Sequence, residues 1–235
     1  MAIYALADTH LSIAVPKPMD IFGPAWRDHA ETIRRNWDAS VTDSDVIIVA
    51  GDISWAMRIE EALPDLLYIA ERPGRKILIR GNHDYWWKRE QTRKIQNIVH
   101  PSITLVQGQP VLLNSLGITG TRGWRMDDIT SVENPKANAR IFQRELNYLK
   151  SGLEGLPKDL DLKIVALHYP PFSTDLEPNE FLKTSQEHSV DILVYGHIHE
   201  GVGLALEGNI GGVECHLVAV DHIGFAPKLI VPNEL

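Results

Sequence analysis

Five short runs of apolar, partly β-branched residues recur along the chain without alternation between apolar and polar positions. The runs are Ile3–Ala7, Val46–Ala50, Lys76–Ile79, Lys163–Leu167 and Asp191–Tyr195. Runs of this length and composition are typical of strands that are buried on both faces. The pattern therefore predicts strands of a sheet that is covered by helices on its faces.

Helical patterns separate several of these runs. We predict helices at Pro24–Asp38, Ile59–Ala70, Trp86–Ile98 and Asn138–Leu149. Each places apolar residues on one stripe of a helix surface. Pro64 lies inside the second segment and predicts a kink or a later start there. The alternation of strand and helix favours parallel strand pairing through right-handed crossovers.

Two further regions are rich in strand-forming residues. One is Ile103–Gly120, and the other is Gly203–Val231, which contains turn signals at Gly208-Asn209 and Gly211-Gly212. These strands are additional to the five buried runs. The sequence thus favours two sheets that pack face to face, with helices on the outside.

Composition narrows the classes of protein. The 235 residues suit one large α/β domain, and the formal net charge of −8 disfavours a basic groove for nucleic acid or a contact with an anionic membrane. A single cysteine excludes an internal disulfide and a thiolate zinc cluster. The chain has no apolar stretch of about 20 residues, the length of a membrane helix. Met1 runs directly into the first strand, so we expect a cytoplasmic protein without a leader.

Five segments end apolar runs with side chains that can bind metal ions. They are Asp8-Thr9-His10, Gly51-Asp52, Gly81-Asn82-His83-Asp84, His168 and Gly196-His197-Ile198-His199. Ligands at the carboxyl ends of parallel strands converge on one edge of a sheet. Carboxylate, amide and imidazole donors suit Mn, Fe and Zn better than Ca. We expect the three glycines to let the backbone leave its strands tightly.

The order and spacing of these segments resemble the calcineurin-like metallophosphoesterase superfamily. Its signature is D-x-H, G-D, G-N-H-D/E, H and G-H-x-H, and the matching blocks run from residue 8 to residue 199. The resemblance implies an α/β fold, a four-layer α/β/β/α sandwich of two mixed β-sheets flanked by helices. We expect a single domain over residues 1–235 that binds two metal ions (Mn, Fe or Zn) per chain.

The resemblance also assigns a role to each motif residue. It implies one set of metal ligands: Asp8, His10 and His199 for the first metal, Asn82, His168 and His197 for the second, and Asp52 bridging the two. His83 would contact the substrate and assist the leaving group, and Asp84 would hold the His83 imidazole in its tautomer. The implied reaction is in-line attack by a metal-bridging hydroxide on a phosphoester.

Other residues are candidates for contact with the substrate. Trp86 is a candidate aromatic wall for a nucleobase or aryl group, although core packing is a competing interpretation. Arg122 and Arg125 either bind a phosphate or remain solvated loop residues. Thr121–Lys136, the least regular stretch, either arches over the site or forms a solvated surface loop.

The leading hypothesis is a dinuclear-metal-dependent hydrolase of small phosphate esters. Asp84 stands where protein Ser/Thr phosphatases have Glu, which argues against that branch. The alternative is a phosphodiesterase that acts on cyclic nucleotides or nucleic acid ends, and residues 8–11 also resemble cyclic-nucleotide phosphodiesterases. The acidic balance counts against long nucleic acid. A non-catalytic scaffold would be expected to lack motif residues, and none is missing from the sequence.

Overall fold

A computed structural model of the chain describes residues 1–125, 134–199 and 205–233. One of its two sheets has five strands in the order β11-β1-β2-β3-β4. These strands are β1 (Ile3–Leu6), β2 (Val46–Ala50), β3 (Arg75–Ile79), β4 (Ile103–Val106) and β11 (Lys228–Val231). Strands β1 to β4 pair in parallel, whereas β11 is antiparallel to β1.

The other sheet has six strands in the order β5-β6-β7-β8-β10-β9. They are β5 (Val111–Leu113), β6 (Leu116–Thr121), β7 (Leu162–Leu167), β8 (Ile192–Tyr195), β9 (Gly208–Ile210) and β10 (Val213–Leu217). Strands β6, β7, β8 and β10 are parallel, and the edge strands β5 and β9 are antiparallel to their neighbours. Both sheets are therefore mixed.

Helices cover the outer faces of both sheets. Among the described residues, the α-helices are α1 (His29–Ser40), α2 (Ile59–Ala70), α3 (Thr92–Gln96), α4 (Pro135–Glu154) and α5 (Glu180–Glu187). Short 3-10 helices lie at Asp20–Phe22, Pro24–Trp26 and Arg89–Gln91. Within the described ranges, no helix is both long and apolar enough to cross a membrane.

Strand β2 shows why the runs do not alternate. Ile47 and Val49 pack in one cluster with Ile33 and Trp37 of α1 and with residues of α2, whereas Ile48 packs in a second cluster with residues of the other sheet. Both faces of the strand are therefore removed from water. A third cluster joins α4 and α5 to the outer face of the second sheet. The predicted four-layer α/β/β/α sandwich is confirmed.

The helices of the structure differ from the predicted ones at several points, although α2 has the predicted bounds. Helix α4 extends beyond the predicted Asn138–Leu149 at both ends, and α5 was not predicted. Helix α2 begins at Ile59 and not later, with Pro64 in its interior and the Glu61 carboxylate accepting hydrogen bonds from the N–H groups of Met57 and Arg58. The helix predicted from Pro24 starts at His29, because Asp28 takes a left-handed backbone conformation with φ of 53°. The first turn of the predicted helix, Pro24–Trp26, is a separate 3-10 helix.

The predicted helix Trp86–Ile98 is mostly wrong. The α-helical part is Thr92–Gln96, with a 3-10 turn before it. Trp86 and Trp87 are both buried in the core beside the first sheet, so their apolar spacing reflects packing of a loop rather than a helix face.

The carboxyl ends of the parallel strands of both sheets meet at one edge of the sandwich. The loops after β1 and β2 run side by side, with Asp8 N donating to Gly51 O (2.9 Å) and His10 N donating to Asp52 O (2.9 Å). In the second sheet, Gly196 N donates to His168 O (3.1 Å). Hydrogen bonds between neighbouring loops thus fix the positions of the motif residues.

Candidate metal centre

The motif residues form two groups of three potential ligands. Asp8, His10 and His199 make up one group, and Asp52, His168 and His197 make up the other. Within each group, the ligand atoms lie within 4.8 Å of one another. The first group comes from the ends of β1 and β8 and the second from the ends of β2, β7 and β8, as expected for ligands at the carboxyl ends of parallel strands.

Asp52 lies at the centre of the site. Its Oδ2 atom is 3.9 Å from His10 Nε2, 3.5 Å from His168 Nε2 and 4.0 Å from His83 Nε2. Its Oδ1 atom accepts a hydrogen bond from His83 N (2.7 Å), which fixes the orientation of the carboxylate. One oxygen thus faces imidazoles of both ligand groups, the position that a bridging carboxylate requires.

The surroundings of His168 fit a cation. Burial lowers the pKa of His168 to about 3, so its imidazole is neutral and carries one proton. Nδ1 donates that proton to Ala50 O (3.1 Å), which leaves a lone pair on Nε2. This lone pair faces the Asn82 Oδ1 atom at 2.7 Å and the Asp52 carboxylate. Three electron-rich atoms directed at one another are stabilised by a metal ion between them.

The first ligand group shows the same preparation. His199 Nδ1 lies 3.1 Å and 3.2 Å from the two carboxylate oxygens of Asp221, so Nδ1 carries a proton. The Nε2 atom is then the one that can bind a metal ion. Asp8 Oδ1 and His10 Nδ1 are buried without a hydrogen-bond partner. Unpaired buried polar atoms are costly, and a cation at Asp8 Oδ1 would compensate one of them.

Electrostatics in the cluster point the same way. Burial and the nearby Asp52 charge raise the pKa of Asp8 well above its usual range, and burial raises the pKa of Asp52 to about 6. Burial and the neighbouring His168 lower the pKa of His197 to about 2. The second ligand group therefore holds two neutral imidazoles beside a carboxylate whose charge is poorly solvated, whereas the Asp221 hydrogen bond and the charges of Asp8 and Asp52 raise the pKa of His199. Two divalent cations would supply the compensating positive charge.

Four of the motif residues have left-handed backbone conformations. Asp8, His10, Asp52 and His197 have φ values of 60°, 44°, 50° and 72°. Residues other than Gly adopt the left-handed region at a cost in free energy, usually where contacts with the surrounding structure impose it. Here it lets the chain turn sharply at the strand ends, so that consecutive functional groups point into one site.

The three motif glycines serve two different purposes. Gly51 has a φ of 92°, in agreement with the expected tight exit from its strand. Gly81 and Gly196 are not in that region, and their reason is space. A Cβ at Gly81 would lie 2.1 Å from Asp52 N, and one at Gly196 would lie 2.5 Å from Asp8 Oδ2. Both sites need close approach of the backbone to a carboxylate.

Asp84 does not hold the His83 imidazole as the sequence suggested. It is buried, and its Oδ1 accepts hydrogen bonds from Ile53 N (2.9 Å), Ser54 N (3.1 Å) and Trp86 Nε1 (3.0 Å), while its Oδ2 accepts one from Gly81 N (2.7 Å). The carboxylate joins the loop after β2 to the loop after β3. It therefore acts on the site by holding Asp52 and His83 in place.

His83 lies at the surface of the site with its side chain 34% exposed. Burial lowers the pKa of His83 while the Asp52 charge opposes that shift. Its Nδ1 atom is 3.4 Å from the Tyr85 hydroxyl. The His83 imidazole is partly exposed beside the ligand groups and can contact a substrate.

Trp55 is an aromatic residue that lies beside the site, and the prediction for Trp86 is wrong. Trp86 is 2% exposed and packs in the core, so it has no free face for a substrate. Trp55 stacks on His10 with ring centroids 4.8 Å apart and lies 4.4 Å from His83. Lys17 Nζ is 3.0 Å from the centroid of the Trp55 ring. Trp55 was not among the predicted site residues, and its position three residues after Asp52 is the only local feature of the sequence that could have indicated this role.

Arg122 and Arg125 lie near the second ligand group in different environments. Arg122 is 9% exposed, stacks over Trp124 at 4.5 Å and accepts hydrogen bonds on its carbonyl from His168 N and Tyr169 N. Its Nε atom has no hydrogen-bond partner, and burial together with the Arg80 charge lowers its pKa to about 10. Arg125 is exposed. Half of the predicted loop Thr121–Lys136, residues 126–133, lies outside the described residues.

Asp221 supports a first prediction. Asp221→Ala removes the carboxylate that fixes the tautomer and orientation of His199, so metal binding should weaken about 10- to 100-fold. Metal titration of the stripped protein measures this. The control is Glu207→Ala, which breaks the 3.1 Å pair between another carboxylate and His222 and should leave metal affinity unchanged. Equal affinities for both variants would contradict the positioning role of Asp221.

Curated relatives match only part of the chain. The Gene 66 protein of Mycobacterium phage D29 is 37% identical over 83 residues, which cover 35% of this chain and 40% of that protein. The Gene 66 protein of Mycobacterium phage L5 is 40% identical over 57 residues, which cover 24% and 27% of the two chains. The matches thus span less than half the length of these relatives.

Solved structures match over nearly the whole chain at low identity. Phosphopantetheinyl hydrolase (PptH) from Mycobacterium tuberculosis aligns with a TM-score of 0.63 and 14% identity, covering 99% of this chain and 96% of that one. GAP50, the anchor in the inner membrane complex of Plasmodium, aligns with a TM-score of 0.57 and 14% identity, covering 94% and 72%. These similarities establish the fold.

The family assignment rests on the sequence profile together with this fold. The profile of the calcineurin-like phosphoesterases matches residues 1–201, a range that includes every motif residue. The match confirms the resemblance seen in the five motifs. The chain belongs to the calcineurin-like phosphoesterase family of metal-dependent phosphoesterases.

Proposed function

We propose that the protein hydrolyses small phosphate esters with two metal ions. The observation that carries this proposal is the position of Asp52 Oδ2, within 4.0 Å of Nε2 atoms from His10, His83 and His168. This carboxylate oxygen faces both ligand groups and the imidazole that is not needed as a ligand. Such an arrangement provides two cation sites and a proton donor around one point.

The proposed ligands follow the two groups. Asp8, His10 and His199 would hold one ion, Asn82, His168 and His197 would hold the other, and Asp52 would contact both. The nitrogen and oxygen donors fit Mn, Fe or Zn. Metal ions bound there would make a shared water more acidic and polarise the phosphoryl oxygens.

His83 is proposed to assist the leaving group. Its backbone N–H donates a hydrogen bond to Asp52 Oδ1, which holds the backbone of His83 in position at the edge of the ligand groups. Its partial exposure allows contact with the ester oxygen that departs. A protonated imidazole there would donate its proton to that oxygen as the phosphorus–oxygen bond breaks.

Arg122 is proposed to stabilise the negative charge of the phosphoryl group. Its guanidinium has an Nε–H without a partner and no carboxylate is paired with it within hydrogen-bond distance among the described residues. Glu145, whose charge acts on Arg122, is instead paired with Arg144 at 2.9 Å. An anion from the substrate would satisfy the Arg122 donors. Arg125, which is exposed, is proposed to contact groups farther from phosphorus.

A direct assay tests the proposed reaction. Protein stripped of metal is resupplied with Mn, Fe, Zn or Mg and tested on an aryl phosphomonoester and on the matching aryl phosphodiester. Metal-dependent release from either ester supports the proposal and identifies the ester class. Two metal ions bound per chain without hydrolysis of either ester would contradict it.

Replacement of His83 separates chemistry from metal binding. His83→Ala should lower kcat about 10²- to 10⁴-fold, because the leaving oxygen loses its proton donor, while both metals remain bound. Turnover and metal content are measured on the same sample. His100→Ala, a change of an exposed histidine outside the site, is the control and should leave turnover unchanged. Full activity after His83→Ala would refute the role of His83.

A further inference from the structure

An apolar pocket opens beside the first ligand group. Its volume is about 320 Å³, at the lower end of the range of about 300–1,000 Å³ for small-molecule sites. Three imidazoles of the metal centre line it together with four apolar side chains, which are Met19, Phe22, Trp26 and Trp55. The pocket is therefore continuous with the place where the phosphoryl group would bind.

Contacts with the metal centre hold the indole rings of this pocket in position. Trp55 stacks on His10 with an angle of 18° between the rings, and its Nε1 donates to Met19 Sδ at 3.2 Å. Trp26 is 5% exposed and lies 5.7 Å from His199. Rigid rings that touch the ligand residues form a preorganised surface for one end of a substrate.

The rim of the pocket is apolar and faces water. Phe22 is 59% exposed, and Ile21 beside it is 70% exposed. Two adjacent large apolar side chains in water are unfavourable unless a partner covers them. A substrate group seated against Phe22 would bury part of this surface and gain hydrophobic stabilisation.

The chemistry of the lining restricts what can bind. Apart from the three imidazoles, the lining offers only the two indole N–H groups of Trp26 and Trp55 as side-chain donors, and Trp55 Nε1 already donates to Met19 Sδ. A sugar or a nucleobase carries several polar atoms, and a single indole N–H would leave most of them unpaired. On the basis of the proposed function, we infer that the substrate carries an apolar alkyl or aryl group, which binds in this pocket next to His83.

Inhibition by alkylphosphonates tests the inference. Ethyl-, butyl- and hexylphosphonate present the same anionic head to the metal centre and differ only in the length of the apolar tail. Each is measured as an inhibitor of the metal-dependent hydrolysis of an aryl phosphate ester. The inhibition constant should fall about fourfold for each methylene that enters the pocket. Equal inhibition constants along the series would overturn the inference and leave the proposed hydrolysis standing.

Two variants test whether the alkyl tail of the phosphonates binds in this pocket. Phe22→Ser should reduce the ratio of the ethyl- to the hexylphosphonate constant about tenfold relative to the wild type, because a wall of the pocket becomes polar. Leu112→Ser changes an apolar residue that is 50% exposed on β5, outside the pocket, and should preserve the ratio. If the ratio for Phe22→Ser equals that of the wild type, the tail binds outside this pocket and the inference is refuted. Absence of metal-dependent hydrolysis of any ester would instead refute the proposed function.

Discussion

Asp52→Asn should abolish metal-dependent hydrolysis, with a loss of about 10³-fold or more. The amide keeps the size of the carboxylate and can still accept the hydrogen bond from His83 N at Oδ1. Its NH₂ group then occupies the position of Oδ2, where it faces the His10 and His168 nitrogens as a hydrogen-bond donor. The variant replaces an acceptor shared by both ligand groups with a group that repels cations.

Thermal unfolding with and without metal distinguishes this effect from unfolding of the site. In the wild type, a cation at 100 times its Kd should stabilise the fold by about 2.7 kcal/mol, and the variant should lose most of that increment. Burial raises the pKa of Asp52 to about 6, so at neutral pH the metal-free wild type carries a disfavoured charge that Asn removes. The metal-free variant should therefore be at least as stable as the metal-free wild type.

Asp45→Asn is the matched control for this experiment. Asp45 is also buried but lies before the opposite end of β2, where it accepts hydrogen bonds from Ala2 N (2.7 Å) and Thr42 N (2.9 Å). This variant should lose stability and keep its response to metal. A metal response retained in Asp52→Asn would show that the carboxylate does not bind the ions.

The sequence predicted which residues meet, because that depends on topology. Strands with buried faces on both sides pair in parallel, and their carboxyl ends form one edge. His168 and Asn82, 86 residues apart, are therefore brought within 2.7 Å. The local conformations were not predictable, since the left-handed backbone at Asp8 and His197 depends on contacts between loops distant in sequence.

The missed residues have the same physical explanation. Asp221 follows the apolar stretch after β10 much as the motif ligands follow their strands, but nothing local in the sequence indicates its contact with His199. Asp84 was predicted to contact its sequence neighbour, whereas its donors include Ile53 N, 31 residues away. A buried carboxylate is placed by the N–H groups that surround it, and those come from other loops.

The second large effect is expected from a single methyl group at Gly81. In Gly81→Ala, the new Cβ would lie 2.1 Å from both Asp52 N and Asp52 Oδ1, far closer than atoms can approach. The contact is with backbone as well as side chain, so the loop that carries Asp52 has to move. We expect metal affinity and turnover to fall about as far as in Asp52→Asn, and stability to fall by about 1–3 kcal/mol.

Gly155→Ala gives the matched comparison for that variant. Gly155 ends helix α4 with an ordinary φ of −78°, and a Cβ there would meet the Pro110 ring at 3.0 Å, away from the ligand groups. It should keep metal binding and turnover with a small change in stability. Metal content, turnover and the free energy of unfolding are measured for both proteins. If Gly81→Ala retains wild-type metal affinity, the glycine is not required for close approach to Asp52, and the position of this carboxylate tolerates displacement of the loop.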